Sequence, residues 1–290
     1  MRGFLKWGAI AFGGVVMLAL AGIVYVYIAS EIALDRTYPL TQSKIHFAAT
    51  PGAIAKGAHL VQIYSCNGCH GKDLSGIEFP DLPPGMVLWS PNLRLLAHSY
   101  ADSDFDRAVR HGLRADKTNV IVMPSSVYAA MHDDELAAIV AYLRSLPARG
   151  EAHPRFVPGF IVRLGIVLGE FGPPREGFGE RKNPLDLGPK YAAGRHMAQI
   201  ACGECHGSDL KGGPATGPIP PRPDLDLVAA YERKDFLTFM RTGKAAGNRE
   251  LPMMSDMARD HFSHFTDAEA GALYDYLAAR GNALIARPTH

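Results

Sequence analysis

Apolar and polar residues follow three rhythms along this chain: unbroken, irregular and helical. From Trp7 to Ser30 no side chain is charged, while Arg2 and Lys6 precede the run and Glu31, Asp35 and Arg36 follow it. About 20 apolar residues cross a bilayer as a helix. Trp7, Tyr25 and Tyr27 stand near the ends of the run, where interfacial aromatic anchors belong. The pattern predicts a membrane anchor helix over residues 1–30. A cleaved export signal is the competing reading, but its apolar core is about 7–15 residues long and ends at a small-residue cleavage site. No good A-x-A site follows here. The positive-inside rule then keeps Arg2 and Lys6 in the cytoplasm and exports the rest.

Residues 31–52 carry Pro39 and Pro51 and no sustained period, which predicts a tether. Beyond them the helical rhythm appears twice. Leu136, Ile139, Val140 and Leu143 fall at i, i+3, i+4 and i+7, and so do Ala270, Leu273, Tyr274 and Leu277. Thr266-Asp267-Ala268-Glu269 reads as a capping box, with Asp133 as the expected cap of the first helix. Shorter helices are expected over Ser103–Gly112 and Lys234–Gly243, each stopped by its glycine. The segments around them also repeat. His59-Leu60-Val61-Gln62-Ile63 answers to His196-Met197-Ala198-Gln199-Ile200, and Gly71-Lys72-Asp73-Leu74 to Gly207-Ser208-Asp209-Leu210. The second lead-in is one residue shorter. This is a tandem duplication, to be read as two copies of one unit. The copies are expected over 53–150 and 190–285, with the first helix of each packed on its last.

Residues 151–189 form a linker rich in proline and glycine. Within it, the apolar run Phe156–Phe171 is broken by Pro158, Gly159, Arg163, Gly165 and Gly169, too short and interrupted for a second span. It packs on one domain, or rests on the membrane surface or a partner. The 290 residues suit about two domains. A formal net charge of +1 argues against a nucleic-acid binder, which would show a basic face.

All four cysteines lie in Cys66-Asn67-Gly68-Cys69-His70 and Cys202-Gly203-Glu204-Cys205-His206. C-x-x-C-H is the haem c attachment signature. Two thiols three residues apart share one side of a helical turn and reach the vinyl groups of one porphyrin. The following histidine, His70 or His206, is held under the iron. A disulfide within each pair would leave the histidine without a role. A zinc site would need the two halves close together, although Cys69 and Cys202 belong to separate copies. Two motifs call for two covalently bound haem c groups, which are attached outside the bacterial inner membrane.

An electron-transfer iron takes a strong sixth ligand, and methionine sulfur both serves and raises the potential. Met123-Pro124 stands between the short and the last helix of copy one; Met86 lies too early and Met131 too late. In copy two, Met254 is the choice and Met257 the alternative, with Met257–His261 read as an inserted turn. A histidine ligand, His261 or His264, would drop the potential. His98, His111 and His132 read as surface or capping residues. Pro91 and Pro223 follow the motifs at matching places, and a carbonyl there would accept the proximal Nδ1–H. Loop punctuation explains the same prolines.

With these residues in view, the chain resembles the class I cytochrome c family twice over, across about residues 52–150 and 190–285. Carrying the resemblance are the two C-x-x-C-H motifs, Pro91-Asn92-Leu93 and Pro223-Asp224-Leu225, Met123-Pro124, and the two closing helices. It implies an all-α fold, an N-terminal transmembrane helix followed by two tandem helical domains with haem edges partly exposed. No proline follows the methionines of copy two, unlike the family pattern. The layout is similar to membrane-anchored di-haem cytochromes that accompany periplasmic dehydrogenases, which pass electrons on to an oxidase or a soluble cytochrome. A haem c subunit of a haem–copper oxidase is the nearest rival. A di-haem peroxidase would need an open distal site, and a haem sensor an attached signalling domain. The leading expectation is an electron carrier on the periplasmic face of the inner membrane, not a catalyst.

Overall fold

The computed structural model describes residues 2–39, 45–79, 86–170, 183–215 and 221–286. Its first element, α1 (Arg2–Leu34), is followed by α2 (Pro51–Ile63), α3 (Cys66–His70), α4 (Leu93–Ser99), α5 (Asp102–His111), α6 (Ser125–Tyr128), α7 (Asp133–Ser145) and α8 (Phe160–Leu168). The second half holds α9 (Ala192–His206), α10 (Arg233–Thr242), α11 (Met254–Asp260) and α12 (Asp267–Ile285). A two-residue antiparallel ribbon, β1 (Lys244–Ala245) and β2 (Arg249–Glu250), is the one sheet among the described residues. The architecture is all-helical, two like domains behind an apolar N-terminal helix. Among the described residues, only the stretch Lys6–Leu34 is long and apolar enough to cross a membrane.

Each domain is built on one helix crossing, α2 on α7 and α9 on α12. The apolar stripes meet there: Leu60, Val61 and Ile63 with Leu136, Val140 and Leu143, and Ala198 and Ile200 with Leu273 and Leu277, all buried. Backbones approach so closely that a methyl on Gly57 would strike the carbonyl of Ala138, and one on Gly194 that of Ala272. The next turn of each closing helix, Tyr142 and Tyr276, lies over the same glycines.

Several local expectations change in detail. The anchor helix runs on to Leu34, and α2 starts at Pro51, capped by the Thr50 hydroxyl. Proline suits this first turn because its missing N–H is needed by no helical bond. The first residue of α7 is Asp133, and His132 is its cap, with Glu135 Oε2 accepting the His132 N–H at 2.9 Å. The extra residue of the first lead-in breaks one helix into two. Ser65 turns left-handed at φ 57° between α2 and α3, whereas α9 runs unbroken into its motif. One added residue rotates a helix face by about 100°, and the left-handed step restores the motif's direction. Gly112 and Gly243 stop α5 and α10 at φ 62° and 72°.

The halves dock through a reciprocal pair of bridges. His59 on α2 meets Glu269 on α12, Nε2 to Oε1, at 2.9 Å, and His196 on α9 meets Glu135 on α7 at 2.7 Å. His59 and His196 are equivalent in the repeat, and both glutamates are the third residue of a closing helix.

The crossings give a direct test. Gly57→Ala and Gly194→Ala are expected to lower Tm, since forcing a methyl into a packed contact costs about 1–3 kcal/mol. Gly52→Ala, in the same helix but with open space around it, should leave Tm unchanged or slightly higher. Thermal melts followed by circular dichroism compare the three.

Candidate functional site

After each C-x-x-C-H motif the chain makes the same turn, bond for bond. The His70 carbonyl accepts Gly76 N–H at 2.8 Å and the His206 carbonyl accepts Gly212 N–H at 2.7 Å. Leu74 and Leu210 sit left-handed at φ 64° and 63°. Their carbonyls accept Leu93 N–H and Leu225 N–H, each at 3.0 Å. This brings the Pro91 and Pro223 loops beside the motifs. His70 Nδ1 lies 3.1 Å from the Pro91 carbonyl, and His206 Nδ1 lies 2.9 Å from the Pro223 carbonyl. A carbonyl can only accept, so each Nδ1 carries the proton and each Nε2 keeps its lone pair. Burial depresses both imidazole pKa values, against the opposing pull of the carbonyl, and favours the neutral ring.

The residue after each proline holds the loop down. Asn92 Oδ1 caps α4 through Leu95 N–H at 3.2 Å, and its amide donates to the Arg149 and Glu151 carbonyls at 3.0 and 3.1 Å. Its counterpart Asp224 accepts instead from the buried Arg280 at 2.8 Å. An amide serves where the partners are carbonyls, and a carboxylate where the partner is a guanidinium.

None of the four thiols is joined in a disulfide. Burial lifts the Cys66 and Cys202 thiols to about 12. The sulfurs do not converge on one point. Among the described residues, His132, Glu135 and His196 form the one group with three ligand atoms within 4.8 Å, which removes the zinc reading of the cysteines. What remains is a pair of thiols and a neutral histidine on one helical turn, twice over. That donor set fits haem c: Cys66 with Cys69 and Cys202 with Cys205 for attachment, His70 and His206 for the proximal nitrogen.

The expected distal residues are distributed as follows. Met123 is half-buried against the core, two residues before Ser125, whose hydroxyl donates to the Ala108 carbonyl at 2.9 Å. Met254 and Met257 are both half-buried against the core. They lie one turn apart on α11, so the helix begins at Met254 itself and no separate inserted turn follows it. Ser255, next to Met254, donates to the Gly243 carbonyl at 2.5 Å and accepts Leu251 N–H at 2.8 Å. Met131 is buried in the core. His261 is also buried, and its ring meets the first copy's motif, with Nε2 3.0 Å from where a Cβ on Gly68 would stand. His98 is exposed, and its Nε2–H donates to the Leu146 carbonyl at 2.9 Å.

The two motifs lie near one another at the domain contact. Burial raises the Cys69 thiol, and nearby Glu204 and Cys205 raise it further. Val127 Cγ1 stands 3.2 Å from where a Cβ on Gly203 would be. The contact region was not legible from spacing, because its partners lie far apart in the chain. At its edge His132 stacks on His196 with centroids 3.9 Å apart, and Tyr64 donates to Glu135 Oε1 at 2.7 Å. Burial opposes ionisation of Glu135 and Glu269. Bonds from His196, His132 N–H and Tyr64 to the one, and from Thr266 and His59 to the other, outweigh it, so both carboxyls fall below their ordinary range.

Residues 52–143 match the family described as cytochrome c oxidase, cbb3-type, subunit III, and residues 191–280 match the cytochrome c family. Over 264 residues the chain is 23% identical to the fructose dehydrogenase cytochrome subunit of Gluconobacter japonicus, covering 78% of this chain and 52% of that protein. It is 26% identical over 270 residues to the cytochrome c subunit of the quinone alcohol dehydrogenase of Gluconacetobacter polyoxogenes, covering 79% and 57%. With the gluconate 2-dehydrogenase cytochrome c subunit of Pantoea cypripedii it shares 23% over 272 residues, covering 80% and 60%. The chain thus spans between half and two thirds of the length of these relatives.

A depressed carboxyl pKa means that the unfolded chain takes up protons first as pH falls. The stability carried by Glu135 and Glu269 is therefore complete above the ordinary glutamate pKa and lost as pH drops through the folded values. Tm is expected to fall as pH drops below the ordinary glutamate range, and E135Q with E269Q should flatten that slope. Scanning calorimetry across this range checks it; an unchanged slope in the double variant refutes the assignment.

Proposed function

We propose that the chain is an electron carrier rather than a catalyst, that its two domains similar to cytochrome c bind two covalent haem c groups, and that it serves a membrane-bound dehydrogenase. One observation supports this most: two attachment motifs, each with its histidine Nδ1 tied to a proline carbonyl, in domains docked by reciprocal bridges. Bound at these sites, haem c supplies a one-electron Fe(III)/Fe(II) couple.

The chain's own residues do the rest. Cys66, Cys69, Cys202 and Cys205 attach the group. His70 and His206 present Nε2, and the Pro91 and Pro223 carbonyls fix the ring orientation and strengthen the donor. Met123 and Met254 would each offer a thioether sulfur to the bound group. Met254 is preferred to Met257 because Ser255 beside it ties the loop to the end of α10, much as Ser125 ties the loop of Met123 to α5. The two bridges bring the sites together in one docked pair.

The partner is read from the relatives, whose names are those of dehydrogenase cytochrome subunits and whose similarity runs through both domains. Electrons would pass from a dehydrogenase or quinol-side donor to a respiratory acceptor, an oxidase or a soluble cytochrome. α1 would hold the chain in the bacterial inner membrane as a single span, with Arg2 and Lys6 inside and both domains in the periplasm. A haem–copper oxidase subunit is the second reading, favoured by the family matched over residues 52–143. That match covers one domain, so the dehydrogenase reading is preferred.

Expression in a host with haem-ligation machinery should give two haems per chain that acidified acetone does not extract. Loss of the pigment on extraction refutes covalent attachment. Met123→Ala and Met254→Ala should each abolish the sulfur-to-iron absorption of one haem, and Met257→Ala should spare both. Loss in Met257→Ala alone would reverse the choice in the second domain. Copurification in mild detergent with an oxidase core instead of a dehydrogenase would overturn the partner.

A further inference from the structure

α8 lies in the linker, and the helix it packs on most is α1, against its end. Val162, Arg163, Gly165 and Ile166 face inward, and on α1 Val26 and Ser30 are covered while the neighbouring apolar residues stay bare. Arg163, which interrupts the apolar run in sequence, is the residue that makes this contact. Its guanidinium donates to Ser30 Oγ at 2.8 Å and to Glu31 at 2.6 Å, and it stacks over Tyr27 at 4.8 Å.

The other face of α8 is apolar and open. Ile161, Leu164 and Leu168 recur at helical spacing, with Ile161 73% and Leu168 66% exposed. Phe160 is exposed too and stands 6.4 Å from Tyr27, so this face runs into the bare apolar surface of α1 at Tyr27, Ile28 and Ile32. Depth follows from length. About 20 residues cross the hydrocarbon core, and 20 counted from Trp7 end at Val26. The docking site at Tyr27–Glu31 therefore falls at the level of the headgroups, where an arginine–glutamate pair and a tyrosine ring are at ease.

We propose that α8 is an interfacial helix, lying on the outer leaflet beside the membrane span with Ile161, Leu164 and Leu168 in lipid. This rests on the reading of α1 as a span. The occupant is lipid because the open face is continuous with a surface that lipid already covers. The α1–α8 pair is tied to the first domain on both flanks: Val157 and Val87 exchange backbone bonds at 2.9 and 3.0 Å, and Tyr38 N–H reaches the Lys117 carbonyl at 3.1 Å. Two contacts with the bilayer and ties to the domain on both flanks fix how the first haem site is presented above the membrane, which one flexible tether would not.

The test uses the full holoprotein in nanodiscs of phosphatidylcholine and phosphatidylglycerol, with a single nitroxide at Ile161→Cys or Leu168→Cys. Leu18→Cys in α1 and Lys234→Cys on the exposed side of α10 are references, and an unchanged haem spectrum reports folding. Labels at 161 and 168 should collide readily with oxygen and several-fold less with a nickel chelate than the label at 234. Labels as wet as 234, with 18 dry, overturn the proposal and leave the span intact. Labels shielded from both reagents mean that protein, not lipid, covers the face, and also overturn it. If 18 is wet as well, the span and this inference fall together.

Discussion

Each half of this protein depends on one close approach of two backbones. Where α2 crosses α7, and α9 crosses α12, a glycine removes the side chain that would hold the helices apart. The cost is a weaker helix at that point, since glycine is about 1 kcal/mol worse than alanine in a helix interior. What results is depth of contact. The tyrosines one turn along lie over the gap, and the aliphatic stripes on both helices become fully buried.

The crossing also decides where the chemistry stands. The C-x-x-C-H turn is the end of the first helix, so its position is set once that helix is seated. The closing helix in turn carries the glutamate that reaches the other domain. A short chain of backbone bonds then carries the proline loop to the histidine. Leu74 and Leu210, both left-handed, are the pivots of that relay. Proximal geometry is thus a matter of backbone hydrogen bonds, which tolerate change of most side chains along the way.

Much of this was legible in the sequence because it is local. The spacing of thiols and histidine, the helical stripes and the glycine stops all act within a few residues. The one-residue difference between the lead-ins was visible too, but its consequence, a left-handed Ser65 and a broken helix, depends on keeping the motif aimed at its site. Domain docking was hidden. His59 and Glu269 are 210 residues apart, and a histidine on a helix face has many bland readings. The glutamates were concealed by a second duty, since both also cap their own helices. Arg163 read as an interruption because its partners, Ser30 and Glu31, belong to the first helix.

The docking itself follows from the duplication. A two-fold interface is self-complementary: residue i of one half meets j of the other, and j meets i. His59 with Glu269 and His196 with Glu135 satisfy that relation within one chain. One kind of favourable pair is counted twice when two copies of a unit meet in this way. The copies then diverge where the relation does not require identity. His132 stands where Thr266 caps the second closing helix, and it stacks on His196. Tyr64 adds a bond to Glu135. The Glu135 side of the interface is accordingly the drier one, its carboxylate 9% exposed against 27% for Glu269. The interface thus has a tighter edge at Glu135 and a looser one at Glu269, so any opening motion between the domains meets less resistance at His59 and Glu269.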